Sequence, residues 1–440
     1  MAEIQRSCEL SRCQGVLDEP YGLARSSDHS EIHSWSFGPG RSESRSVNAV
    51  MPYSSAILQA PARSEGISGE YGGSHDAAVI AEPSPEHSVH GRVVVLIPAH
   101  NESEGITETV TALSRQTRPP DEVLVVSDNS TDDTVELAKR AGANVTETVG
   151  NSHKKAGALN QALSTVLPRL QEDDFVLVQD ADSVLDPEFI ESALSHLAAD
   201  DRLGAAGGVF RGQDGGGFVG HLQRNEYARY ARDVRRLKGK CLVVTGTAAV
   251  FRASTLRDVQ TARLSGEIPA GDGRGGIYDT TVLTEDNEIS FALMHLGYKI
   301  LSPKGCTLTT EVMPTWRELW NQRLRWKRGA IENCVQYGLT RVTAPYWGRQ
   351  LLTMVGILVT LAYLGTIIWS LAAYGSLHIH PFWLALTGVF ALERIITLRD
   401  RGPVRQMIAG TLYELPFDMF LQVCHGKAYL DSVMNRERRW

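Results

Sequence analysis

Val93-Val94-Val95-Leu96-Ile97, running directly into Pro98-Ala99-His100-Asn101-Glu102, is the stretch that decides the fold. Consecutive apolar, mostly β-branched residues cannot alternate between core and solvent, so they read as a strand buried on both faces. Asn101 can cap a helix running from about Glu102 to Arg115. Val123-Leu124-Val125-Val126 repeats the strand pattern, and Ser130 can cap a helix through Arg140. A helix from about Lys155 to Val166 precedes a further buried run, Phe175-Val176-Leu177-Val178. Strands alternating with helices at this spacing predict an α/β fold with a mostly parallel sheet and helices on both faces.

Outward from this core the composition changes. Residues 1–90 are rich in Ser, Gly, Pro and His and lack sustained periodicity. Such a segment buries too little to offset its ordering entropy and is expected to be a disordered extension. It has no basic-then-apolar signal pattern, so the large soluble part is not expected to cross a membrane. The α/β domain is expected over 91–314, followed by an amphipathic helix over 315–345. Between Leu351 and Leu392 there are 42 residues without Asp, Glu, Lys or Arg. About 20 apolar residues suffice to span a bilayer, so a transmembrane hairpin is expected within 346–400. Its first arm is Leu351–Ala373 and its weaker second arm Phe382–Leu398, with a basic amphipathic segment over 401–440. A buried soluble helix with an interfacial one is the alternative.

Residues 315–350 carry seven Lys/Arg against Glu318 and Glu332, an excess that suits the cytosolic face of a membrane. Trp316 and Trp320 share a helix face with Leu324, the pattern of a helix lying in a membrane interface. The net charge of −7 argues against general nucleic-acid binding. Six scattered cysteines without a CxxC pair fit a reducing compartment rather than a disulfide framework or zinc site.

In an open α/β sheet ligands bind beyond the carboxyl ends of the strands, and acids fall at those ends. Asp128 follows the second strand; it can accept hydrogen bonds from a base or ribose, or simply make an Asx-turn. Asp180-Ala181-Asp182 follows the Phe175 strand, and two carboxylates one residue apart suit a hard divalent cation bound to a diphosphate. Thr284-Glu285-Asp286 opens a helix, where acids can merely complement the dipole or, for Asp286, act as a general base. Gln322-Arg323-Leu324-Arg325-Trp326 lies within a helix from about Thr315 to Tyr337. The Gly271–Gly276 stretch lacks a preceding strand and a Lys-Ser/Thr, and reads as a flexible loop.

In this order, with Lys155-Ala156-Gly157-Ala158-Leu159-Asn160, Gln223…Glu226-Tyr227 and Thr245-Gly246-Thr247 between them, the motifs resemble family 2 glycosyltransferases. The resemblance covers 92–337 and is nearest to the membrane-associated branch with the cellulose, hyaluronan and poly-N-acetylglucosamine synthases. It implies a GT-A fold, a nucleoside-diphosphate sugar donor, a divalent metal ion (Mg2+ or Mn2+) and inversion at the anomeric carbon. By resemblance, Pro98, Asn101, Glu102, Asp128 and Lys155 line the donor site. Asp180 and Asp182 match the metal and diphosphate motif, with Asp182 the more direct ligand, and Asp286 matches the catalytic base. Gln322, Arg325 and Trp326 match the motif that closes over the donor, while Glu285, Thr247 and Trp326 face the acceptor.

The secreting members carry several membrane spans around a channel, some before the catalytic domain; here none precedes it. A secretion channel would need self-association or a partner, and transfer to a lipid, a glycan or a protein fits at least as well. Two other functions compete. A non-catalytic scaffold or synthase subunit would have lost acids that are present here, and a sugar nucleotidyltransferase would need a basic glycine-rich loop after the first strand.

Overall fold

The computed structural model describes residues 91–378, 380–397, 402–411, 413–434 and 436. The expectation for 1–90 lies outside the described residues. The chain begins β1 (Val93–Ala99), α1 (Ile106–Ser114), β2 (Glu122–Ser127), α2 (Thr134–Arg140), β3 (Asn144–Glu147) and α3 (Lys154–Val166). It continues β4 (Phe175–Gln179), β5 (Ser183–Leu185), α4 (Phe189–Ala199), β6 (Leu203–Gly207), β7 (Val209–Gly212) and α5 (Gly217–Arg236). Then come β8 (Ala248–Arg252), α6 (Ala253–Ser265), α7 (Glu285–His295), β9 (Lys299–Leu301) and β10 (Thr307–Thr310). Helices close the chain: α8 (Trp316–Tyr337), α9 (Ala344–Tyr374), α10 (Pro381–Thr397), α11 (Pro403–Ala409) and α12 (Leu415–Val433).

A seven-stranded sheet has the order β3-β2-β1-β4-β8-β6-β9. Successive strand side chains point to opposite faces. Val94, Leu96, Val176 and Val178 therefore pack under α3, α6 and α7, while Val93, Val95, Ile97 and Leu177 pack under α1 and α4. Each such side chain taken out of water contributes about 1.5–3 kcal/mol, which is why the apolar runs become the central strands. β8 departs from the parallel pattern: it runs antiparallel to both β4 and β6. A smaller sheet, β5-β10-β7, flanks the main one.

Two expected helix caps are corrected. Asn101 lies in the left-handed region (φ 56°), and its Oδ1 accepts from Thr131 N–H at 2.7 Å. It thus ties two loops together, and α1 starts only at Ile106, after Gly105. Ser130 accepts from Asn101 N–H at 3.2 Å, and α2 starts at Thr134 after Asp133. In both places a short polar side chain satisfies a loop instead of a helix end.

Thr315 and Glu318 form a capping box at the start of α8. Its Trp316–Trp320 face, expected against lipid, packs on α12: Trp316 and Trp320 meet the Phe420 ring at 4.9 and 5.6 Å. Trp316 stays 40% exposed. Among the described residues one helix, α9, is long and apolar enough to cross a membrane: it has 31 residues, and an 18-residue stretch within it has a mean hydropathy of 2.2. The second expected arm is a helix too, but Arg394 within it is buried in ion pairs rather than flanked by lipid-facing residues alone. Its guanidinium meets Glu414 at 2.8 Å and Asp418 at 2.6 Å, and Glu414 also holds Arg229 of α5 at 2.7 Å.

Candidate active site

β1, β2 and β4 are parallel neighbours, so their carboxyl ends share one edge of the sheet. The loops leaving that edge carry Asn101 and Glu102, Asp128, and Asp180-Ala181-Asp182. Because β8 is antiparallel, its amino end reaches the same edge, with Ala248 opposite Gln179. Thr245-Gly246-Thr247 is thereby laid beside Asp180, whose N–H donates to Thr247 O at 3.0 Å. The reversed strand is what builds this wall of the site.

Lys155, in the first turn of α3, is the centre of the cluster. Its Nζ donates to Asp180 Oδ1 at 2.5 Å and to Gly246 O at 3.0 Å, and lies 3.4 Å from Glu285 Oε1. Burial alone would lower its pKa; the carboxylates of Asp180 and Glu285 outweigh burial and keep the ammonium charged. Asp286 closes the ring, accepting from Gly246 N–H at 3.0 Å and from Asn287 N–H at 2.8 Å. Burial, then the Glu285 charge, pushes Asp286 up to about 6. A small cavity with Lys155, Gly246, Tyr278, Glu285 and Asp286 in its lining joins these groups.

The amino end of α7, which carries Glu285 and Asp286, is fixed from behind by α8. Gly329 lies so close to Thr284 that a Cβ there would collide with the threonine side chain. Asn333 Nδ2 donates to Thr284 O at 3.0 Å. From inside, Ser290 Oγ accepts from Val244 N–H at 3.1 Å and donates to Asp286 O at 2.7 Å.

A second acidic group adjoins the first. Burial, then the charges of Asp182, Glu311 and Asp180, pushes Glu102 up to about 7. Burial also raises Asp182, which accepts from Ser183 Oγ at 3.0 Å, and Asp180 rises to about 6 through burial despite Lys155. Carboxylates crowded this way lack positive charge, and a divalent cation fits that shortage. Among the described residues no group of three or more His, Cys, Asp or Glu side chains converges on a metal position. Two carboxylates completed by a ligand's phosphate oxygens are compatible with that.

Asp128 is buried at the end of β2, with Oδ1 accepting from Thr148 Oγ1 at 2.8 Å and Asn129 Nδ2 at 2.9 Å. His100 bonds its carbonyl at 2.6 Å, drawing the Asn101 loop over it. Pro98, half-buried, stands near the end of β1 beneath that loop. Gln322, Arg325 and Trp326 sit on α8. Arg325 is close enough for its charge, after burial, to lower Lys154 at the start of α3. Trp326 is 37% exposed with the Arg323 guanidinium 4.3 Å from its ring centroid.

Three contributors escaped the sequence reading. Arg323, at 4% exposure, pairs with Glu226 at 2.7 Å and underlies both Trp326 and Tyr227. Tyr278 is buried beside Lys155, and Asn160 clamps its backbone by accepting at 2.9 Å and donating at 2.8 Å. Glu311 adds charge next to Glu102 and Asp182. The signal for Arg323 was its spacing: it stands four residues after Leu319, on the helix's buried stripe.

Residues 94–260 match the model of glycosyl transferase family 2. The poly-β-1,6-N-acetyl-D-glucosamine synthase of Staphylococcus aureus is 25% identical over 285 residues, 62% of this chain and 64% of the synthase. The Staphylococcus epidermidis synthase is 27% identical over 56% of each chain. The chain thus spans less than two thirds of the length of the curated relatives it matches. A mannosyltransferase from Pyrobaculum calidifontis, solved with GDP-Man and Mn2+, superposes with a TM-score of 0.54 at 20% identity, over 81% of this chain and 90% of its own. At that identity the likeness establishes the fold. The chain therefore carries a family 2 glycosyltransferase domain of GT-A-like α/β fold, resembling that of the poly-β-1,6-N-acetyl-D-glucosamine synthases.

Proposed function

We propose that the chain is an inverting glycosyltransferase moving a hexose or N-acetylhexosamine from a nucleoside-diphosphate sugar, taken to be a UDP-sugar, to a hydroxyl of a glycan, lipid or protein. The observation that carries this reading is the Lys155 cluster, in which one ammonium links Asp180 to Glu285 and to the Gly246 backbone that holds Asp286. Donor-side and acceptor-side acids thus share one cleft.

Asp128, under the Asn101 loop, would accept hydrogen bonds from the nucleoside. Asp182 and Asp180 would hold a divalent ion, Mg2+ or Mn2+, whose charge offsets that of the diphosphate. Lys155 and Arg325 add fixed positive charge where the leaving diphosphate develops its own, which is the transition-state charge a site must stabilise. Asp286 takes the proton of the incoming hydroxyl as the new glycosidic bond forms, its raised pKa bringing it nearer to neutral pH. Trp326 offers an aromatic plane for a sugar's C–H face, with Glu285 and Thr247 on the acceptor side.

The exposed apolar length of α9 supports membrane association. Arg341 and Arg349 near its start support a cytosolic catalytic domain. The test is nucleoside-diphosphate release from a panel of UDP-Glc, UDP-GlcNAc and GDP-Man with Mg2+ or Mn2+; GDP-Man is included because the mannosyltransferase of like fold was solved with it. Release from at least one donor is expected. Tight donor binding without release under any acceptor or ion would instead favour a non-catalytic subunit.

A further inference from the structure

Helices α9 and α12 run antiparallel: Tyr429 Oη donates to Gln350 O at 2.9 Å near one end, and Gln422 lies against Gly356 further along. Between them is a trough of about 490 Å³, within the volume range of ligand sites. Its walls are mainly aliphatic, with Ile357, Leu361 and Leu364 facing Met419, Val423 and Leu430. The charged lining is confined to one end. There Lys427 and Arg436 share a single carboxylate, Asp431, at 2.5 and 3.5 Å, so two cations meet one anion. Nearby, Lys327 stands 5.0 Å over the Tyr429 ring.

The direction of this polarity matters. The cationic mouth lies beside the start of α9, next to the basic α8, and the apolar part extends along α9 toward Leu364, inside the helix long enough to cross a membrane. A headgroup at the surface and a chain in the hydrocarbon have that same order. We propose that the trough is a lipid site that takes an acyl chain of an anionic phospholipid, with the phosphate at Lys427 and Arg436. The site rests on the membrane reading given above and is separate from the acids of the cleft.

The test uses the full chain reconstituted in phosphatidylcholine vesicles with or without phosphatidylglycerol, then extracted gently and weighed by native mass spectrometry. The wild type is expected to retain phosphatidylglycerol about tenfold over phosphatidylcholine. Gly426→Trp should fill the trough, since a Cβ at Gly426 meets nothing within 4 Å, and lower retained lipid about tenfold. Leu361→Trp fills it from the opposite wall and guards against a folding failure in the first variant. Lys427→Gln with Arg436→Gln should keep a lipid but lose the preference for the anionic one. Nucleoside-diphosphate release should survive in all of these. Equal retention in both tryptophan variants, or no headgroup preference in the wild type, overturns the lipid site. Vesicle flotation is read separately: a wild type that fails to float overturns the membrane reading and this site with it.

Discussion

Asp286→Asn removes the proposed base while keeping its shape. The two carboxylate oxygens accept from the Gly246 and Asn287 amides at 3.0 and 2.8 Å. Asparagine retains one acceptor, so one backbone bond is lost at a cost of about 1 kcal/mol. Relief of the repulsion with Glu285 offsets that loss, and the fold should tolerate the change. Turnover should not. A positioned general base contributes about 10²–10⁴-fold, or roughly 3–5 kcal/mol at about 1.4 kcal/mol per factor of ten. Burial and Glu285 hold the carboxyl up at about 6, and the base acts when deprotonated. The sign is therefore fixed: kcat/KM should be near its plateau above about pH 7 and fall about tenfold per pH unit below 6. Sugar transfer and nucleoside-diphosphate release are measured across that range, with donor affinity of the variant by calorimetry. A variant with a third or more of wild-type turnover and unchanged donor binding, or a wild-type profile flat from about pH 5 to 7, would refute the base assignment.

Arg323→Met strands Glu226 and uncovers Trp326; a loss of about 3 kcal/mol is expected, read as a lowered Tm. Arg323→Lys should recover little, because an ammonium lacks the flat fork that pairs and stacks, and full recovery would show that charge alone matters. Gly329→Ala pushes against Thr284 at a cost of about 1–3 kcal/mol and should lower kcat by tilting the start of α7. Thr284→Ala in the same chain should restore much of it, and strict additivity of the two changes would argue against that coupling. Chelation of divalent ions should abolish donor cleavage, with Mn2+ or Mg2+ restoring it; activity undiminished by chelation would remove the ion from Asp180 and Asp182.

What the sequence revealed of this fold follows from what a pattern can encode. Val93–Ile97 and Phe175–Val178 were legible because burial on both faces demands unbroken apolar runs. Strand direction leaves no such trace, so the antiparallel β8 was invisible although it sets Gly246 against Asp286. The Trp316–Trp320 stripe was legible as apolar but not as covered by α12, since lipid and a neighbouring helix ask for the same residues. Lys154 and Lys155 are chemically identical neighbours; the resemblance of the Lys155–Asn160 motif singled out Lys155, and the turn of α3 is what carries it to Asp180. Asn101 and Ser130 were misassigned as caps because their side chains serve loops and helix ends equally well.

The ion pairs at Glu414 bear on where the molecule can be cut. α5 reaches in two directions, through Glu226 to Arg323 and through Arg229 to Glu414, which Arg394 shares. A polypeptide stopped after α8 would retain every acid of the cleft yet strip Arg229 of its anion and bare the aromatic seam that Phe417 and Phe420 cover. A portion that keeps these contacts is thus longer than its chemistry requires, extending at least to Phe420.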